Sequence, residues 1–141
     1  MDIIMKDTEL LEEARKARMR AYAPYSGFMV GVALLAGSGR VYHGCNIENA
    51  SYTPTICAER TAFFKAVFER ERDFLKIAVA GGKKGEEADK LCAPCGVCRQ
   101  VMMEFCDPEK FQVILADGMD GHRTFTLGEL LPYGFGSGNL V

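Results

Sequence analysis

The chain is poor in several features that would commit it to a function early. It has only two histidines, His43 and His122, in 141 residues. They stand apart from each other and from every cluster of metal-binding side chains. Zinc sites built on paired histidines are thereby excluded, and each histidine reads as a surface or strand-end side chain. Charge of one sign is missing too, since 17 lysines and arginines against 19 acids leave a net charge of −2. No broad basic field awaits a phosphate backbone, which argues against nucleic acid as a partner. No apolar run approaches the roughly 18 residues of a membrane span. The stretch Met1 to Lys6 lacks the apolar core and cleavage site of a signal peptide. Internal repeats and low-complexity segments are absent. With 48% hydrophobic and 26% charged residues, the composition reads as a globular, cytoplasmic protein with no membrane partner, one domain over residues 1–141.

Against that background, six cysteines need an explanation. A reducing compartment disfavours disulfides, so clustered cysteines read as metal ligands or reactive thiols. Cys57, Cys92, Cys95 and Cys98 lie near one another or near an acid. Cys45 and Cys106 stand alone and read as small buried apolar side chains.

Apolar periodicity places the secondary structure. A first helix follows Thr8 as N-cap, with Glu9, Glu12 and Glu13 leading and Arg15, Lys16, Arg18 and Arg20 trailing, an order that complements the helix dipole. Its apolar stripe is Leu10, Leu11, Ala14, Ala17 and Ala21, and Pro24 ends it. Phe28 to Ala36 and Arg40 to Gly44 read as a hairpin turning at Gly37-Ser38-Gly39. Ile56 to Arg70 is helical and apolar on most sides, so it needs covering partners. Leu75 to Ala80 and Phe111 to Ala116 read as central strands, and Gly81 to Lys90 as a charged surface loop. A third helix starts at Cys95 or Gly96. Arg123 to Thr126 is a last short strand, and Leu127 to Leu131 a helical turn before a glycine-rich tail. This order argues an α/β fold of three layers, α/β/α, with helices on both faces of one sheet.

The chemistry concentrates at two helix starts, Cys57-Ala58-Glu59 and Pro94-Cys95-Gly96-Val97-Cys98. Cys95 and Cys98 share a helix face, and helix N-termini favour the thiolate form that binds metal. Three thiolates on one zinc leave a fourth position for water, the catalytic arrangement. Cys92 repeats the same spacing, however, and four sulfurs would close a structural zinc site or hold an iron–sulfur centre. Glu59 favours the open arrangement, because a carboxylate beside the site can take a proton from water but has little use in a sulfur cage.

Cys57-Ala58-Glu59-Arg60 together with Pro94-Cys95-Gly96-Val97-Cys98-Arg99-Gln100 resembles the zinc signature of the nucleoside and nucleotide deaminases. Three segments narrow the resemblance to cytidine deaminases of the small, homotetrameric type. They are Tyr22-Ala23-Pro24-Tyr25-Ser26-Gly27-Phe28, then Gly44-Cys45-Asn46-Ile47-Glu48-Asn49-Ala50-Ser51-Tyr52, then Leu131-Pro132-Tyr133-Gly134-Phe135.

The resemblance implies a mixed five-stranded sheet and one zinc per chain on Cys57, Cys95 and Cys98. It implies hydrolytic deamination of cytidine and 2′-deoxycytidine to uridine and 2′-deoxyuridine with release of ammonia, a reaction of pyrimidine salvage. Glu59 would carry the protons. Asn46 and Glu48 would bind ribose hydroxyls, Phe28 would pack on the base, and the Ala58 N–H would meet the pyrimidine carbonyl. Arg60 would donate to cysteine sulfur and draw charge from the zinc. Tyr52 and Phe135 would line a neighbouring subunit's pocket, so that the homotetramer shares its active sites. Plainer readings stand beside these: Phe28 in the strand core, Arg60 solvated, Phe135 folded onto its own chain. Other functional classes are deamination of another aminopyrimidine such as blasticidin S, polynucleotide editing, or a structural metal module.

Overall fold

The computed structural model describes residues 5–88 and 90–141. Residues 1–4 of the Met1 to Lys6 stretch, and Asp89 of the charged loop, lie outside the described residues. Helix α1 (Asp7–Arg18) begins earlier than its Thr8 reading. The Glu9 carboxylate reaches back to the Lys6 backbone N–H at 3.0 Å, so Lys6 is the cap and Thr8 lies inside the first turn. The helix also ends early, with Met19 as its C-cap, leaving Ala21 outside it.

Strands β1 (Phe28–Ala36) and β2 (Val41–Cys45) form the expected hairpin. They are followed by α2 (Ala58–Phe68), β3 (Phe74–Lys83), α3 (Gly96–Phe105), β4 (Gln112–Ala116), β5 (His122–Thr126) and the short α4 (Leu127–Leu130). The sheet order is β2-β1-β3-β4-β5, antiparallel throughout except for the parallel β3–β4 pair. That one parallel pairing needs a crossover, and α3 supplies it. β3 outruns its reading: Gly81 and Gly82 pair with Val30 and Met29, so the first residues assigned to the loop belong to the strand.

Alternation along the central strands builds the three layers. Val32 and Leu34 of β1, Ile77 and Val79 of β3, and Val113 and Leu115 of β4 pack against α2 and α3. Their neighbours Ala33, Leu35, Ala78, Ala80 and Ile114 pack against Leu10, Leu11 and Ala14 of α1. Gly31 lies on the α1 face, where a Cβ would stand 2.1 Å from the Arg18 backbone nitrogen, so only glycine lets α1 lie this close. On the other face Phe63 is fully buried and meets the rings of Phe74, Phe105 and Phe111. Burying one such ring is worth about 1.5–3 kcal/mol. Arg18, one of the trailing bases that complement the helix dipole, is buried. Its guanidinium donates to the carbonyls of Met29, Gly82, Lys83 and Glu86, tying the charged loop to the sheet. Among the described residues no helix is long and apolar enough to cross a membrane.

Candidate active site

Two helix N-termini meet over the sheet. Gly44 of β2 lets α2 approach, since a Cβ there would lie 2.3 Å from the Ala58 carbonyl oxygen. The Thr61 hydroxyl donates to the Cys45 carbonyl at 3.0 Å and fastens the first turn of α2 to the end of β2. Cys57 is the N-cap residue of α2, and Cys95 is the N-cap residue of α3, with Cys98 in the following turn. Backbone N–H groups unpaired at both ends therefore surround the sulfurs with partial positive charge.

Among the described residues Cys57, Cys95 and Cys98 form a group whose sulfurs all lie within 4.8 Å of one another. The Cys57–Cys95 and Cys95–Cys98 sulfur separations are 3.8 and 3.5 Å. Zinc–sulfur bonds of about 2.3 Å in a tetrahedron require sulfurs ~3.8 Å apart, so the three residues fit zinc. Cys92 stands outside this group. Its sulfur packs on Gly81, where a Cβ would come within 2.8 Å of it and 3.2 Å of the Phe28 ring. The three-sulfur, open arrangement is the one this geometry favours.

Electrostatics at the sulfurs follow from their neighbours. A hydrogen bond from Cys98, then one from Arg60, pulls the Cys57 thiol down to about 5, while Cys98 is pushed up as the donor of that pair. Arg60 Nη2 reaches Cys57 Sγ at 3.4 Å. Glu59, the second residue of α2, is only 5% exposed. Burial raises its carboxyl to about 7, and the negative charge of Cys57 adds to the effect. Burial and the nearby Glu59 carboxylate push the Cys92 thiol up to about 11.

The remaining sequence candidates fall into two sets. Asn46 sits against β1: its Oδ1 accepts from Val30 N–H at 2.9 Å and its Nδ2 donates to the Phe28 carbonyl at 2.8 Å. Glu48 Oε1 accepts from the backbone N–H groups of Tyr25 and Ser26, and the Ser26 hydroxyl donates to Oε2. The roles of Tyr25 and Ser26 were missed in sequence, although both stand in a segment that carries the resemblance. Glu48, Ser26 and Tyr52 line one cavity of about 240 Å³. Phe28 opens β1, partly exposed, and Ala58 opens α2, fully buried. Tyr52 and Phe135 are not drawn into their own chain's core, being 73% and 56% exposed.

Comparison with known proteins agrees with this geometry. The family model described as the cytidine and deoxycytidylate deaminase zinc-binding region matches residues 4–115. The chain belongs to that family. It is 47% identical over 132 residues to a cytidine deaminase of Sporosarcina psychrophila, covering 94% of this chain and 93% of that one. It is 49% identical to a cytidine deaminase of Halalkalibacterium halodurans, covering 89% of this chain and 91% of that one. A crystal structure of cytidine deaminase from Burkholderia pseudomallei superposes with a TM-score of 0.83 at 47% identity, over 93% of this chain and 100% of that one. One from Mycobacterium tuberculosis gives 0.78 at 37% identity, over 94% of this chain and 99% of that one. The three-layer sheet architecture and the zinc-binding character of the family are thus common ground, with Cys57, Cys95 and Cys98 as the group that fits the ion. These relatives lend no support to a blasticidin S deaminase.

Proposed function

We propose that the protein is a zinc-dependent cytidine deaminase, converting cytidine and 2′-deoxycytidine to uridine and 2′-deoxyuridine with release of ammonia, in one domain spanning residues 1–141. The observation that carries this reading is Glu59, a buried carboxyl poised near neutrality beside three sulfurs that fit zinc. Zinc held by Cys57, Cys95 and Cys98 supplies the Lewis acidity that makes water a nucleophile at neutral pH. Glu59 accepts a proton as water adds to C4 of the base and passes it to N3. It then takes a second proton from the new C4 hydroxyl and hands it to the amine, which leaves as ammonia while the C4 carbonyl forms. A carboxyl titrating near neutrality is suited to both directions of transfer. Arg60 donates to Cys57 and offsets the excess negative charge of the thiolates.

Substrate placement follows from hydrogen-bonding capacity left over. Asn46 spends one lone pair and one N–H on β1, leaving one of each for a ribose hydroxyl. Glu48 is fixed by Tyr25 and Ser26 and keeps acceptor sites for a second hydroxyl. Its charge would repel a 5′-phosphate, which favours nucleosides over nucleotides. Ala58 offers an unpaired first-turn N–H to the pyrimidine carbonyl, and Phe28 offers its ring to the base.

The assembly is a homotetramer with shared sites, in which Tyr52 and Phe135 act on a neighbour's substrate. Support comes from apolar rings that one chain leaves in water: Phe68 on α2 is 85% exposed, with Phe64, Tyr52 and Phe135 exposed as well. All six cysteines are unpaired, as a cytoplasmic location would keep them. Ammonia release from cytidine, 2′-deoxycytidine and cytidine 5′-monophosphate tests the reading. Turnover of both nucleosides and little of the nucleotide is expected; no release from cytidine overturns it.

A further inference from the structure

The helical turn that bears Cys98 also holds the C-terminal tail. Arg99 bridges two segments, donating from Nε to the Pro94 carbonyl at 2.8 Å and from Nη1 to the Leu130 carbonyl at 2.7 Å. The next residue, Gln100, donates from Nε2 to the Phe135 carbonyl at 2.8 Å. One residue further, the tail lies flat on α3, since a Cβ at Gly136 would stand 3.1 Å from Met103 Cε. The tail backbone is therefore pinned to its own helix while the Phe135 ring stays more than half exposed. A backbone folded back with its aromatic facing outward needs a specific tie, because a free tail would bury the ring wherever apolar surface allowed. Gln100 supplies that tie, and nothing in the proposed chemistry otherwise uses it.

We propose that Gln100 is a positioning residue for the tail: its amide fixes the Phe135 carbonyl and so aims the ring outward, away from its own chain. The consequence for substrate rests on the shared-site reading, in which that ring packs over a neighbour's bound base. Gln100 thereby links the turn carrying a metal-fitting cysteine in one subunit to substrate binding in the next, through binding rather than chemistry.

The chain contains no tryptophan, so Phe135→Trp places a unique fluorophore at the tip of the tail. In that background, Gln100→Met keeps side-chain length but removes the donor. Lower fluorescence anisotropy and red-shifted emission are expected in the intact tetramer. In the Phe135 background, Gln100→Met is expected to raise KM for cytidine roughly three- to tenfold, as loss of one neutral hydrogen bond would. Turnover at saturation and zinc content stay near the parent values. Unchanged anisotropy overturns the proposal. If KM also holds while Phe135→Ala still raises it, the shared site survives and only the role of Gln100 falls. If Phe135→Ala leaves KM unchanged, the shared-site reading falls and the anisotropy alone decides whether Gln100 places the tail. Loss of zinc or of fold in both Gln100→Met and Gln100→Ala assigns the residue to the helix itself and also overturns the proposal.

Discussion

Arg60 donates from Nη2 to Cys57 Sγ at 3.4 Å, and its buried Nε has no hydrogen-bond partner among the described residues. A guanidinium held this way is placed by the charge of the sulfurs more than by a full set of hydrogen bonds. Arg60→Gln is expected to keep zinc while lowering kcat about 10- to 100-fold, the usual cost of losing a group that tunes a metal's ligands. Unchanged kinetics across the pH range would make Arg60 an ordinary helix residue.

Glu59→Gln should retain zinc and fold, with kcat down by at least about 100-fold, since both proton transfers pass through this carboxyl. Burial already disfavours the charged form of Glu59, so the neutral amide is expected not to lower Tm. Turnover above a tenth of the parent value contradicts the role.

The Glu48 carboxyl is held below its ordinary value, chiefly by the Ser26 hydroxyl and then by the backbone N–H groups of Ser26 and Tyr25. A lowered value keeps the carboxylate ionised as the pH falls, so KM should stay flat until the acidic side of the ordinary carboxylate range. Ser26→Ala removes the largest of these influences and raises the Glu48 value. Its KM should therefore begin to climb at a higher pH than that of the parent. Superimposable KM profiles would show that Glu48 does not bind the substrate in its ionised form.

Shared sites can be tested by reassembling Glu59→Ala subunits with subunits truncated after Pro132. Hybrid sites then pair an intact Glu59 from the truncated chain with an intact Phe135 from the other. Activity above that of either parent is expected. No gain, in tetramers shown by mass to be mixed, contradicts sharing.

The parts of this fold and site that were legible in sequence are the local ones. Phe28–Ala36 is a strand from end to end because its residues pack on both faces, and Cys57, Cys95 and Cys98 declare themselves by standing at helix starts. What escaped depends on remote partners. The glycines at 81 and 82 look like loop, yet they pair with Val30 and Met29 near the end of β3, where Cys92 Sγ and the Glu87 carbonyl leave no room for a Cβ. Arg18 shows in sequence only as one of the bases closing the first helix, yet carbonyls from β1, β3 and the following loop surround it. The spacing of Cys92 from Cys95 matches that of Cys95 from Cys98, but only the latter pair lies at a helix N-terminus with sulfurs together. Sequence could name Glu48 without revealing that Tyr25 and Ser26 hold it, since that pairing closes across the β1–β2 hairpin.

An open site of three sulfurs with Glu59 beside it leaves a clear signature in X-ray absorption at the zinc edge of the purified protein. About one zinc per chain is expected, with three sulfurs at about 2.3 Å and one oxygen or nitrogen. Four sulfurs per zinc would make Cys92 a ligand, close the site and rule out a zinc-bound water beside Glu59.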